Sequence, residues 1–164
     1  MKKLIYLLLM LPLAILASCT NEENLPDVDL TVSLSNVSKV DNTIYALEDS
    51  TIYIDGTTVK SLNHHAAEIS GIQYFIDNYV NWIMSDPLQK PYKAQINKGT
   101  LPEGSYNLLV EGKVYQVDSS RAWVHMAIPL KVVKTLPAGA PELGTVNVTI
   151  TTAETYEKMI DSRW

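Results

Sequence analysis

From Asp27 to Ser35 every even-numbered residue is apolar and every odd-numbered one polar (Val28, Leu30, Val32 and Leu34 against Asp29, Thr31 and Ser33). A period of two turns one face of an extended chain toward a core and the other toward water. The pattern returns at Tyr92, Ala94 and Ile96, at Tyr106, Leu108 and Val110, at Val124, Met126, Ile128, Leu130 and Val132, and at Val146, Val148 and Ile150. Turn chemistry separates these runs at Asp55-Gly56, Asp86-Pro87, Lys98-Gly99, Pro102-Glu103-Gly104 and Asp118-Ser119-Ser120. Strands patterned this way build an antiparallel, half-solvated sheet, and their spacing predicts an all-β sandwich of about 7–9 strands over residues 28–151.

Two segments leave alternatives. Between His64 and Met84, Ile69, Ile72, Ile76, Tyr79, Val80 and Ile83 also fit a helical stripe. Their β-branched and aromatic character, with Gly71, Asn78 and Asn81 among them, favours two short strands around Asp77-Asn78. In the tail, residues 152–164, Thr151-Thr152-Ala153-Glu154 has the spacing of a capping box and Tyr156 stands one turn from Ile160. A short terminal helix and a frayed tail are equal expectations there.

The one cysteine, Cys19, stands where an apolar run stops. Met1-Lys2-Lys3 is followed by an apolar stretch from Leu4 to Leu16, too short for a helix that crosses a bilayer, which needs roughly 20 residues, and matched to the apolar region of a cleaved export signal. Leu16-Ala17-Ser18-Cys19 resembles the lipobox of bacterial lipoproteins. The resemblance implies a signal peptide over 1–18, acylation of Cys19, and an acidic tether over 19–27. Two or more acyl chains hold a protein to a membrane stably where one does not. Asn21-Glu22-Glu23 is similar to the acidic export signal of Bacteroides-type surface lipoproteins. This implies an outer-membrane protein displayed at the cell surface, with the periplasmic face as the alternative.

Removing 18 residues from 164 leaves 146, enough for one domain. Lys2 and Lys3 leave with the leader, so 18 acids face 11 of the 13 bases, a formal charge of −7. That balance argues against nucleic acid and anionic lipid headgroups as partners.

Gly71-Ile72-Gln73-Tyr74-Phe75-Ile76-Asp77, Lys90-Pro91-Tyr92, and Leu101-Pro102-Glu103-Gly104-Ser105-Tyr106-Asn107-Leu108-Leu109-Val110 resemble successive strands of bacterial immunoglobulin-like domains. The resemblance implies an immunoglobulin-like antiparallel sandwich, with Gly104 permitting a corner and the Tyr106 hydroxyl bonded to nearby backbone. There is no intersheet cysteine pair, and Val146–Ile150 adds a strand beyond the usual end.

The site chemistry is sparse. His64 and His65 are adjacent and on a strand would face opposite ways, so neither a metal nor a cofactor is expected. Asp118, Ser119, Ser120 and His125 hold the ingredients of a nucleophilic triad, but no nucleophile elbow accompanies them and turn chemistry accounts for them. Aromatics are the better candidates: Tyr79, Trp82, Tyr115 and Trp123 lie on or near strand ends, where an exposed flat ring can stack on a sugar or anchor a partner, the alternative being core or edge packing, with Trp82 plugging one end of the sandwich. Trp123 precedes the inward set that begins at Val124 and should face outward. The expected function is therefore that of a membrane-anchored, non-catalytic lipoprotein with an immunoglobulin-like domain serving binding, adhesion or assembly, with a glycan, an envelope or host protein, or a neighbouring subunit of an outer-membrane assembly as its partner. The alternative is a small lipid-anchored hydrolase or glycan-processing accessory protein, which needs convergent polar residues in a cleft.

Overall fold

The structure, a computed structural model, describes residues 24–77, 80–83, 89–151 and 156–157. The two-residue period is realised as burial: Val28, Leu30, Val32 and Leu34 are each at most 1% exposed, and Val124 through Val132 repeat the alternation. Among the described residues the chain forms ten strands and no helix: β1 (Val28–Val40), β2 (Thr43–Leu47), β3 (Ile52–Ser61), β4 (Ala67–Ile76), β5 (Val80–Ile83), β6 (Ala94–Ile96), β7 (Gly104–Gln116), β8 (Ala122–Val133), β9 (Gly144–Thr151) and β10 (Tyr156–Glu157).

The strands pair in the order β5-β4-β7-β8-β2-β1-β3-β6, with β9 beside β1 and β10 beside β8. The path folds over at β1. Residues Asp29–Val37 of that strand run antiparallel to β9, and Val28–Ser35 run antiparallel to β3. Ser38–Val40 then pair with β2, which belongs to the other layer. Asn36 makes the switch. It adopts a left-handed φ of 64°, a conformation asparagine tolerates, and its side-chain amide donates to the Thr51 carbonyl at 2.7 Å. With β1, β3 and β6 in one layer and β4, β7 and β8 in the other, the division is that of a two-layer β-sandwich dominated by antiparallel pairs.

Several expectations change in detail. The β2–β8 pair is parallel where an antiparallel sheet was expected. The two strands expected around Asp77-Asn78 are present as β4 and β5, antiparallel to each other. Asp55-Gly56 is not a turn but an irregularity inside β3, where the register with β1 shifts. Tyr92 does not lie in the following strand, which starts at Ala94; its φ of 66° turns the ring into the core. In the tail, Tyr156 and Glu157 form a strand against Val124 and Trp123 instead of a helix. β2 pairs only with Leu130–Val133, so the same edge of β8 is open to β10 nearer its start. Asp86-Pro87 and the rest of the tail lie outside the described residues.

A buried polar linkage joins the layers. The Tyr74 hydroxyl on β4 donates to the Tyr92 carbonyl at 2.8 Å and lies 2.7 Å from Thr57 Oγ1 on β3. With the tyrosine proton committed to the carbonyl, Thr57 is the donor in the second contact. Tyr92 in turn donates its hydroxyl to the Ile69 carbonyl on β4 at 2.7 Å, and the Thr57 amide donates to the Pro91 carbonyl at 3.0 Å. This last approach requires glycine at position 56: a Cβ there would stand 2.3 Å from the Pro91 oxygen, and φ is +149°. The corner expected at Gly104 is also formed, with Tyr106 donating to the Pro102 carbonyl at 2.8 Å.

Burial pushes the Tyr74 hydroxyl up to about 12. The unfolded chain therefore ionises first as pH rises, and stability that is complete below pH 10 is lost between there and 12, by about 2–3 kcal/mol. Chemical denaturation across that range should show the loss, and Tyr74→Phe should remove it. At neutral pH the same substitution, which strands Thr57 and the Tyr92 carbonyl, should cost about 1–3 kcal/mol. Gly56→Ala should lower stability by about 2–4 kcal/mol in the same assay, combining backbone strain with the Pro91 clash.

Candidate functional surface

The residues that alternate outward on β4, β7 and β8 share one sheet face, and register decides which of them meet. Lys113 on β7 stands opposite Trp123 on β8, and Glu111 stands opposite His125. Directly opposed side chains have Cβ atoms about 4.5–5.5 Å apart, within reach of long or aromatic groups. Both pairs make contact. The Lys113 ammonium sits 5.0 Å from the centre of the Trp123 ring, and His125 Nδ1 lies 2.9 Å from Glu111 Oε1. On the far side of Glu111, β4 contributes Gln73. Toward the β7–β8 turn the face ends at Tyr115, opposite Glu68; toward the other end it becomes apolar, with Phe75 and Leu109 half-buried and Ala127 and Pro129 exposed.

Trp123 is outward-facing as its position before Val124 predicts, half-buried between the fully inward Ala122 and Val124. Tyr115 is exposed. Its neighbour Glu68 is bonded to Lys90, and that hydrogen bond holds the Lys90 ammonium above its ordinary range. Trp82 lies on β5, with its side chain outside what is described, and Tyr79 and Cys19 lie outside the described residues. The structure thus brings Tyr115 and Trp123 onto one face with His125, which the sequence singles out only as a triad ingredient, and adds Lys113, Glu111 and Gln73, which sequence reasoning passed over. Each of those three is an unremarkable polar residue on a strand, and only the pairing of β4, β7 and β8 makes them neighbours.

The triad ingredients are not assembled. His125 is engaged with Glu111, while Asp118 Oδ2 lies 3.5 Å from His65 Nδ1, and Ser119 Oγ donates to the Gln116 carbonyl at 3.0 Å. His64 and His65 occupy a bend and are both exposed. Among the described residues no three His, Cys, Asp or Glu side chains are grouped as a metal site would require.

The outer face of the other layer has a different chemistry. Its hydroxyls are engaged along β1 and β9: Thr31 with Thr149 at 2.8 Å and Ser35 with Thr145 at 3.0 Å, while Thr151 donates to the Asp29 carboxylate at 2.8 Å. Tyr53 is the exposed aromatic on that layer, beside a shallow recess of about 510 Å³ with Asp55, Lys93 and Gln95. The alternation Ile52-Tyr53-Ile54 already marks Tyr53 as outward, and it was not among the candidates.

The β4–β7–β8 face therefore combines an indole, a carboxylate joined to an imidazole, a primary amide and an ammonium. Such a set can stack on an apolar ring face and exchange hydrogen bonds around its rim. No family model, no curated protein and no solved structure matches the chain.

Proposed function

We propose that the chain is a non-catalytic lipoprotein, anchored in the outer membrane through acylated Cys19 and displayed at the cell surface, whose β4–β7–β8 face binds a glycan. The observation that carries the binding role is the placement of Trp123 beside Lys113, Glu111 and His125 on an outward sheet face. A pyranose offers a flat C–H face and a rim of hydroxyls. The indole suits the first, and the carboxylate, imidazole and amide suit the second. The solitary thiol after an apolar leader supports the anchor, since acylation is a use for one cysteine that needs no partner. The acids after Cys19 support surface display.

Trp123→Ala should weaken retention on a glycan array about tenfold with an unchanged melting temperature. Tyr53→Ala on the opposite layer should leave retention intact. Equal losses for both variants, or a fall in melting temperature that tracks the loss, would assign Trp123 to packing. The mass of the native protein should correspond to a chain beginning at Cys19 with acyl groups attached, and protease added to intact cells should remove the domain. A native chain retaining residues 1–18 would end the anchor reading, and protection from protease would place the domain on the periplasmic face.

A further inference from the structure

Five large apolar side chains are conspicuously exposed among the described residues, and four of them lie at one end of the sandwich: Leu25 (39%), Leu62 (40%), Tyr115 (36%) and Val117 (54%). Backbone bonds tie their segments together. The Leu62 amide donates to Asp27, the Val117 amide to Ala66, and the Ser120 amide to Asn24, each at 2.9–3.0 Å. Beneath them Gln116, almost fully buried at the end of β7, accepts from the Asp27 amide at 2.8 Å and donates to Asp27, Ser61 and Asn63. The tip is thus a cross-linked platform in which Gln116 is buried and Leu25, Leu62 and Val117 face water among exposed polar neighbours that include Asn24, Asn63 and His64.

The chain ahead of Asn24 leaves from this same platform. Cys19 precedes Asn24 by five positions, which span at most about 18 Å when fully extended. An acylated Cys19 therefore keeps this end of the sandwich against the leaflet in which the chains are inserted.

We infer that the tip is a lipid contact, with Leu25, Leu62 and Val117 seated in the headgroup region and Tyr115 at its border. The inference rests on the lipid-anchor reading and adds an orientation to it. Apolar side chains partition into that region, and tyrosine is enriched at its boundary. The tether makes the contact intramolecular, so a small patch suffices. A second copy of the chain is a poorer occupant, because a stable dimer buries about 800 Å² per partner through some 20–30 residues, far more than four side chains present. On the tip Lys60 and Arg121 are exposed alongside Asp27 and Asp118, and Glu22 and Glu23 precede Asn24 in the chain, a net negative set that fits a zwitterionic surface better than an anionic one.

The test uses the full chain, purified from membranes and reconstituted in phosphatidylcholine vesicles. Val117→Cys and, separately, Asn42→Cys in the β1–β2 turn at the far end are labelled with a polarity-sensitive fluorophore, acylation leaving the introduced thiol as the reactive one. The expected result is co-flotation of both proteins with vesicles, with emission shifted to the blue and quenched by spin-labelled lipid at position 117 and a water-like signal at 42. Co-flotation with water-like emission at both positions would overturn the tip contact and leave the anchor standing. Failure to float, with Cys19 labelled as a second thiol, would overturn the anchor and this inference together. A blue shift that depends on protein concentration and not on lipid would assign the tip to a second copy and overturn it also.

Discussion

The Tyr74 hydroxyl is the point on which the two layers are registered. It lies at the meeting of β4, β3 and the segment that leads into β6, and it is satisfied on both sides, as donor to Tyr92 and acceptor from Thr57. A purely aliphatic interface can slide by a methyl group at little cost. A buried hydroxyl with fixed partners cannot, because any displacement leaves polar atoms without hydrogen bonds in an environment that has no water to replace them. The demand propagates outward: Pro91 must approach the β3 backbone, so position 56 must lack a Cβ, and Tyr92 must take a left-handed conformation to turn its ring inward.

Much of this sandwich is legible in the sequence because burial and alternation are the same fact seen twice. Val28 to Leu34 and Val124 to Val132 announce their inward faces directly. β9 is legible for the same reason, although it packs at the margin and keeps Val146, Val148 and Ile150 only half-buried. What escapes is whatever depends on partners distant in the chain. Asp55-Gly56 has the composition of a turn, and only the carbonyl of Pro91 explains why its glycine sits in a strand. The parallel approach of β2 to β8 follows from the left-handed switch at Asn36, a conformation that sequence alone does not single out. The candidate face illustrates the same limit: Trp123 is readable as outward, whereas its association with Lys113 and with the Glu111–His125 pair is a matter of register.

The molecule divides its surface by chemistry. The β1–β9 side engages several of its hydroxyls with one another and with Asp29 and Asp55. The β4–β7–β8 side keeps aromatic and ionic groups at partial exposure, and the end where Asn24 enters the fold keeps exposed aliphatic ones. If, as proposed, that end rests on lipid, the strands of β7 and β8 rise from the membrane and the β4–β7–β8 face stands upright, so the proposed glycan would approach it from the side, along the plane of the membrane.

The position of β1 has a mechanical consequence. The chain ahead of Asn24 runs into a strand held on both flanks, by β3 through residues 28–35 and by β9 through residues 29–37, antiparallel in each case. Tension applied at that terminus acts along the strand, so it strains both hydrogen-bond ladders in shear, with many bonds sharing the force. A terminal strand at a sheet's edge, pulled sideways, would yield one bond at a time. A pull on the N-terminal end of β1 is thus spread over two ladders at once.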